Sequence, residues 1–300
     1  MNSTKLVLVV VMLSVFGYAG AQEYAFKVLV NKGKNELKSG GTWQQLKVGS
    51  SLKSEDELKV AENSYLGLVH VTGKPIELKQ SGNYKVKDLA AKVSGGTSVL
   101  NKYTDFILSS NTGPKSNLTA TGAVDRGTDN INVYLPKPEL AVVYGNNVTV
   151  SWEADPTLKP YEVVFKSLFG DELSKVESNT NSVVINLNDR SFENEDNIIV
   201  TVYSKSNRSK VSKDYTLKKL SKADKDRIKN LYNEIAAQTA EPTAFNKFLV
   251  AGFYEENKLL IDAIPYYQEA IRLAPDVQYY KDTFEEFMLR HGIKKPAPKK

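Results

Sequence analysis

The sequence predicts a multidomain chain that is β first and α last: a small β domain, a seven-stranded β-sandwich, and C-terminal helical hairpins. Three observations carry this. Short apolar runs separated by Gly, Asn, Ser and Lys fill the segments from about Glu23 to Leu78 and from Pro138 to Leu220. Such spacing is the signature of short strands joined by turns. After Ser221 the apolar residues recur at helical intervals, as in Ile228, Leu231, Tyr232 and Ile235. The first 21 residues follow neither pattern.

Those residues read as an export leader. Lys5 precedes an apolar run from Leu6 to Phe16, followed by Gly17, Ala19, Gly20 and Ala21. A charged start, an apolar centre and an A-x-A end make a signal peptide, with cleavage expected before Gln22. The run falls short of the ~20 residues that span a bilayer, so the expected mature chain has no transmembrane segment. Cysteine is absent, which excludes disulfides, thiolate metal sites, cysteine nucleophiles and a lipid-bearing cysteine. A leader ending in Ala and followed by Gln resembles export signals of the Bacteroidetes group. The expected location is the periplasm, with the outer surface as the alternative. Net charge is +5, or +4 once Lys5 leaves with the leader. Charges of both signs alternate, and no block of one sign points to nucleic acid.

The first domain is assigned to 22–108. Its expected strands are Tyr24 to Val30, Thr42 to Leu46, Leu58 to Val60, Tyr65 to Val71 and Ile76 to Leu78. Leu89, Val93, Leu100, Tyr103 and Ile107 then suit one or two helices interrupted at Gly95-Gly96. Trp43-x-x-Leu46-x-x-Gly49-x-x-Leu52, Asp56-x-Leu58, Ser64-Tyr65-Leu66 and Gly73-x-x-Ile76-x-Leu78 resemble the FecR-type β domain over about sixty residues. Gly49 and Gly73 are expected at turns needing positive φ, and Leu52, Leu58, Leu68 and Ile76 are expected to face inward. FecR proteins are membrane-spanning sigma-factor regulators. The transmembrane helix which that role requires is missing, so the resemblance implies the module and not the job.

A polar connector, 109–137, ends in a strand over Ile131 to Leu135. Within it, Arg126 between Asp125 and Asp129 reads as a surface ion-pair cluster. The second domain, 138–220, holds seven expected strands: Leu140 to Val143, Val148 to Trp152, Tyr161 to Leu168, Glu172 to Val176, Ser182 to Leu187, Ile198 to Ser204 and Lys213 to Leu217. Seven short strands in about eighty residues suit a β-sandwich. Val148, Val150 and Trp152 alternate toward one core, as do Tyr161, Val163 and Phe165. Trp152 on the second strand and Tyr161 opening the third resemble the fibronectin type III pattern.

The third domain, 221–292, opens with Ser221 as a helix N-cap and is followed by a basic, proline-rich tail at 293–300. From Ala244 to Pro275 the residues resemble one tetratricopeptide unit: Val250, Ala251 and Tyr254 in the first helix, then Ala263, Tyr267, Ala270 and Pro275. Lys247 stands where the family prefers Trp. Small residues belong where two antiparallel helices approach closely, and Tyr254 and Tyr267 fill the space left over. Pro265 is expected to be tolerated early in the second helix. One unit cannot bury its own apolar face, so a helix over Ala223 to Ala237 and another over Gln278 to His291 should cover it. Such stacks bind a peptide or protein on their concave side. Lys247, Tyr266 and Tyr280 are the candidate partner-binding residues, the two tyrosines being expected to be exposed.

Catalytic chemistry finds little to work with. The two histidines, His70 and His291, fall in different domains. His70 reads as a partly buried strand residue, and His291 as a helix-terminal one. HExxH and G-x-S-x-G are absent. Gly67 to Lys74 fails as a phosphate loop on spacing and on Pro75. No catalytic residue, metal ligand or cofactor is assigned. The expected function is an exported cell-envelope scaffold or adaptor. Its β modules would form a rod-like part, and the helical domain would take a protein partner. The alternative is a sensor or a module that binds cell-envelope glycan.

Overall fold

A computed structural model describes residues 24–93, 99–112 and 131–295. Within it, Phe26–Lys32 (β1) pairs with Ser51–Leu52 (β4) and Tyr65–His70 (β6), and Pro75–Leu78 (β7) adds to the far side of β6. Glu36–Ser39 (β2), Thr42–Gln45 (β3), Glu57–Val60 (β5) and Gly82–Lys85 (β8) form a second sheet in the order β3-β2-β5-β8. Both sheets are antiparallel. They enclose Phe26, Val28, Leu37, Leu52, Leu58, Leu66 and Leu68. Ile76, expected inside, is half-buried at the sheet edge. Gly49 and Gly73 take φ of +86° and +84°, as their turns require. The strands that periodicity missed, β2, β4 and β8, are short and rich in Glu, Lys, Ser and Asn. Val86–Val93 (α1) and Leu100–Thr112 (α2) follow. The Gly95-Gly96 interruption lies outside the described residues, as does the Arg126 cluster.

A bulge in β1 governs how this domain meets the rest. Its register with β6 slips between Val28 and Val30. The extra residue changes the phase of the strand. Phe26 and Val28 face the inter-sheet core, while both Leu29 and Val30 join the cluster shared with the helices. All six residues of β6 are buried. Leu66 and Leu68 point into the β domain, and Tyr65 and Val69 point away from it into the helices. Gly67 is a point of close approach between the two: a Cβ there would lie 2.7 Å from the Phe245 ring. A glycine inside a strand often marks such an approach.

The seven strands expected after Pro138 are present as Val142–Val143 (β9), Asn147–Ser151 (β10), Tyr161–Lys166 (β11), Glu172–Ser178 (β12), Ser182–Asn186 (β13), Asn197–Ser204 (β14) and Tyr215–Lys219 (β15). Five make the sheet β12-β11-β14-β15-β9, and β10 pairs with β13. The Ile131 to Leu135 segment adds to β10 through a bridge between Val133 and Trp152. Val148, Val150, Trp152, Tyr161, Val163 and Phe165 share one core, as their alternation predicts. Trp152 and Tyr161 meet edge to face at 5.1 Å, a favoured aromatic geometry.

Lys222–Ala236 (α3), Ala244–Glu256 (α4), Leu260–Leu273 (α5) and Gln278–Arg290 (α6) complete the chain. The Ser221 hydroxyl caps α3, accepting from the Asp224 N–H at 3.1 Å. Thr243 caps α4 in the same way. Ala251, Ala263 and Ala270 are fully buried, and so is Tyr267. α5 runs through Pro265 without ending. The helical region packs against both β regions: the largest apolar cluster combines α2 to α6 with Leu29, Val30, Tyr65 and Val69 and is flanked by Tyr134, Leu140, Val142 and Tyr144.

Candidate functional site

The surface that α4 and α6 would offer a partner is covered by the chain itself. In α4, every residue from Ala244 to Glu255 is buried except Lys247, which is half-buried. One flank meets α2, where Gly252 sits against the Ile107 side chain. Another meets the β domain through Phe245. The first helix of the expected binding unit is thus the most enclosed helix among the described residues.

Of the three expected partner-binding residues, Tyr280 must be corrected. It is fully buried, its hydroxyl lies 2.9 Å from that of Tyr65 on β6, and its ring meets Tyr65 edge-on. Helical spacing showed that half of the Tyr279-Tyr280 pair had to face inward. It could not show that the outward side of α6 would be roofed by a sheet more than 200 residues earlier. Tyr266 and Lys247 remain half-buried. The ammonium of Lys247 lies 5.6 Å from the Tyr266 ring centre. Tyr266 also packs 5.2 Å from Tyr254, which stacks in turn with Tyr232.

Two buried carboxylates, neither singled out by sequence, tie the regions together. Glu255 on α4 accepts from the Tyr267 hydroxyl at 2.7 Å, from Arg290 at 2.7 Å, and pairs with the His291 ring at 2.8 Å. Burial alone would push this carboxyl up. The His291 hydrogen bond and the Arg290 charge outweigh burial and hold it below the ordinary range. Arg290 also donates to the Ser110 carbonyl of α2. This cluster has the residue types of a proton-transfer site, with both Glu255 oxygens taken by its neighbours, and it latches α6 and α2 onto α4. His291 was read only as a helix-terminal residue; its partner is 36 positions away in sequence.

Asp262, in the first turn of α5, accepts backbone N–H groups from Tyr144 at 2.9 Å and Gly145 at 2.7 Å. These belong to the β9–β10 turn, so one carboxylate pins the sandwich to the helices. Burial pushes its pKa from 3.8 up to about 6, against the pull of those two hydrogen bonds. Gly145 allows the close approach: a Cβ there would stand 3.0 Å from the Asp262 oxygen. Glu77 on β7 makes the matching tie to the β domain, accepting the Phe245 N–H at 2.9 Å. That N–H is one of the free donors at a helix start.

Beside Glu77 lies a groove of about 650 Å³ between the β domain and the start of α4, lined by Ile76, Leu78, Tyr84, Leu89, Val93 and Phe245 together with polar residues. The most solvent-exposed large apolar side chain is Phe169, 94% exposed at the β11–β12 hairpin tip beside Leu168. Trp43 on β3 is also exposed. His70 is buried, bonded through Nδ1 to Thr72 and packed on Phe26, as a strand residue rather than a ligand. Among the described residues, no three His, Asp or Glu side chains come together as a metal site, and no helix is long and apolar enough to cross a membrane. No family model matches the chain, and no curated protein matches it.

Proposed function

We propose that this chain is an exported, non-catalytic scaffold of the cell envelope whose partner-facing surfaces lie on its β modules rather than in a helical groove. The observation that carries this reading is the enclosure of α4: the helical region spends its faces on Tyr65, Gly67, Glu77 and the β9–β10 turn, holding two β modules in a fixed relation. A free adaptor groove would need those faces open. The three regions are read as FecR-like, fibronectin type III-like and tetratricopeptide-like modules. Supporting this are the positive φ at the motif glycines Gly49 and Gly73, the Trp152–Tyr161 contact, and the burial of Ala251, Ala263, Ala270 and Tyr267. Export rests on the leader sequence, which lies outside the described residues. The absence of catalysis rests on the missing sequence motifs and on the pairing of the buried carboxylates, Glu255 with Tyr267, Arg290 and His291, and Asp262 with the Tyr144 and Gly145 N–H groups.

Site-specific photo-crosslinking in the native cell tests the proposal. A crosslinker at Phe169 is expected to capture a partner, and one at Lys247 is not. Capture from position 247 alone would restore the helical groove and overturn the scaffold reading.

A further inference from the structure

The outer face of the β3-β2-β5-β8 sheet is open to solvent and highly ordered in its chemistry. Leu37 and Leu58 point inward, so their neighbours along each strand point outward. The register sets these neighbours in two rows across four strands. One row reads Trp43, Lys38, Glu57, Lys85; the other reads Gln45, Glu36, Lys59, Asn83. At ~4.8 Å between strands, each row is about 14 Å long. Trp43 stands at the end of the first. Its ring lies 5.8 Å from the Lys38 ammonium and 5.9 Å from that of Lys59. Those lysines are themselves held by Glu57 at 3.5 Å and Glu36 at 3.2 Å. The indole thus lies beside two ion-paired lysines, and such contacts restrict its rotamers and lower the entropic cost of binding.

A single rigid aromatic platform beside a flat field of amides, carboxylates and ammonium groups suits one kind of ligand. A protein anchor would want an apolar, desolvated surround, and here seven polar side chains share the face with Trp43. A nucleic acid would want strong positive charge, yet three lysines stand against two glutamates. A sugar chain meets both requirements: its C–H face stacks on the indole, and its hydroxyls replace water at each polar group in turn. We propose that this face binds an extended polysaccharide, with Trp43 as the stacking platform and Gln45, Glu57, Lys59 and Asn83 as hydrogen-bonding partners. The proposal rests on the binding-protein reading above but needs no protein partner, so the two can fail separately.

The chain supplies its own probe. It has two tryptophans, and the other, Trp152, is fully buried in the sandwich. Any ligand-induced change in tryptophan emission therefore reports on Trp43. The full mature chain is applied to an array of neutral, N-acetylated and uronic polysaccharides, and the strongest binder is then titrated by fluorescence. The expected result is saturable quenching or a blue shift, an affinity loss of about 10-fold or more in Trp43→Ala, an intermediate loss in Trp43→Tyr, and unchanged melting of both variants. Retention of no polysaccharide would overturn the proposal, and so would a Trp43→Ala variant that binds as tightly as the parent. If Trp43→Ala melts lower, the sugar-dependent emission change of the unmodified chain decides alone.

Discussion

Asp262→Ala removes the pin between α5 and the sandwich, and two opposing terms set its effect. The Tyr144 and Gly145 N–H groups lose their acceptor in a buried site, at about 1–3 kcal/mol each. Against this, the carboxylate is itself costly: its pKa stands at about 6 instead of 3.8, which at ~1.4 kcal/mol per unit is about 3 kcal/mol at neutral pH. The net effect at pH 7.5 is therefore modest, between about −1 and 3 kcal/mol of destabilisation. The pH dependence is more telling. A carboxyl whose folded pKa is raised binds a proton in the native state before the unfolded chain does. Its stabilising contribution is fully present below about 3.8 and is lost as pH rises through about 6. Denaturant titrations of the parent and Asp262→Ala between pH 4 and 7.5 give the difference directly, while Glu77 and Glu255 titrate alike in both. The stability gap should widen by about 2.5 kcal/mol toward pH 4, and amide exchange at Tyr144 and Gly145 should quicken in the variant. A gap independent of pH would refute the idea that Asp262 is the buried, proton-binding pin.

Other consequences follow from the same interfaces. Gly67→Ala places a methyl group against the Phe245 ring and should cost about 1–3 kcal/mol, with partial recovery in the Gly67→Ala, Phe245→Leu pair, read by thermal melting. Glu255→Ala strands Arg290, which keeps some solvent access, so the loss should sit at the low end for a broken buried pair, about 3 kcal/mol. With its folded pKa held low, the Glu255 contribution is present above its unfolded value near 4.5 and disappears as pH falls below it, the reverse of Asp262. A double-mutant cycle of Tyr65→Phe and Tyr280→Phe should return a coupling of about 1 kcal/mol; zero coupling would mean that the hydroxyl pair is not formed. A fragment of residues 221–292 should bind a hydrophobic dye and aggregate, because its largest apolar cluster is completed by Leu29, Val30, Tyr65 and Val69.

Local chemistry made much of this fold legible in the chain itself. Alternation found the seven sandwich strands and the Trp152–Tyr161 core, and helical spacing with Ser221 and Pro275 found the four C-terminal helices. Glycines at positive φ marked their turns. Each of these depends on residues a few positions apart, which periodicity captures. Short polar strands such as β2 and β8 escaped because their side chains face water on one side and their pairing is set by neighbours. The expected exposure of Tyr280 failed for a related reason. What covers a helix face is decided by segments 36 to more than 200 residues away, brought there by a one-residue bulge in β1 and a side-chain-free position at Gly67. The sequence by itself determined the elements apart from the short polar strands, and it carries neither HExxH nor G-x-S-x-G. Only the tertiary structure decided which surfaces stay open, because burial is a property of how elements pack, and composition within an element does not encode its neighbours.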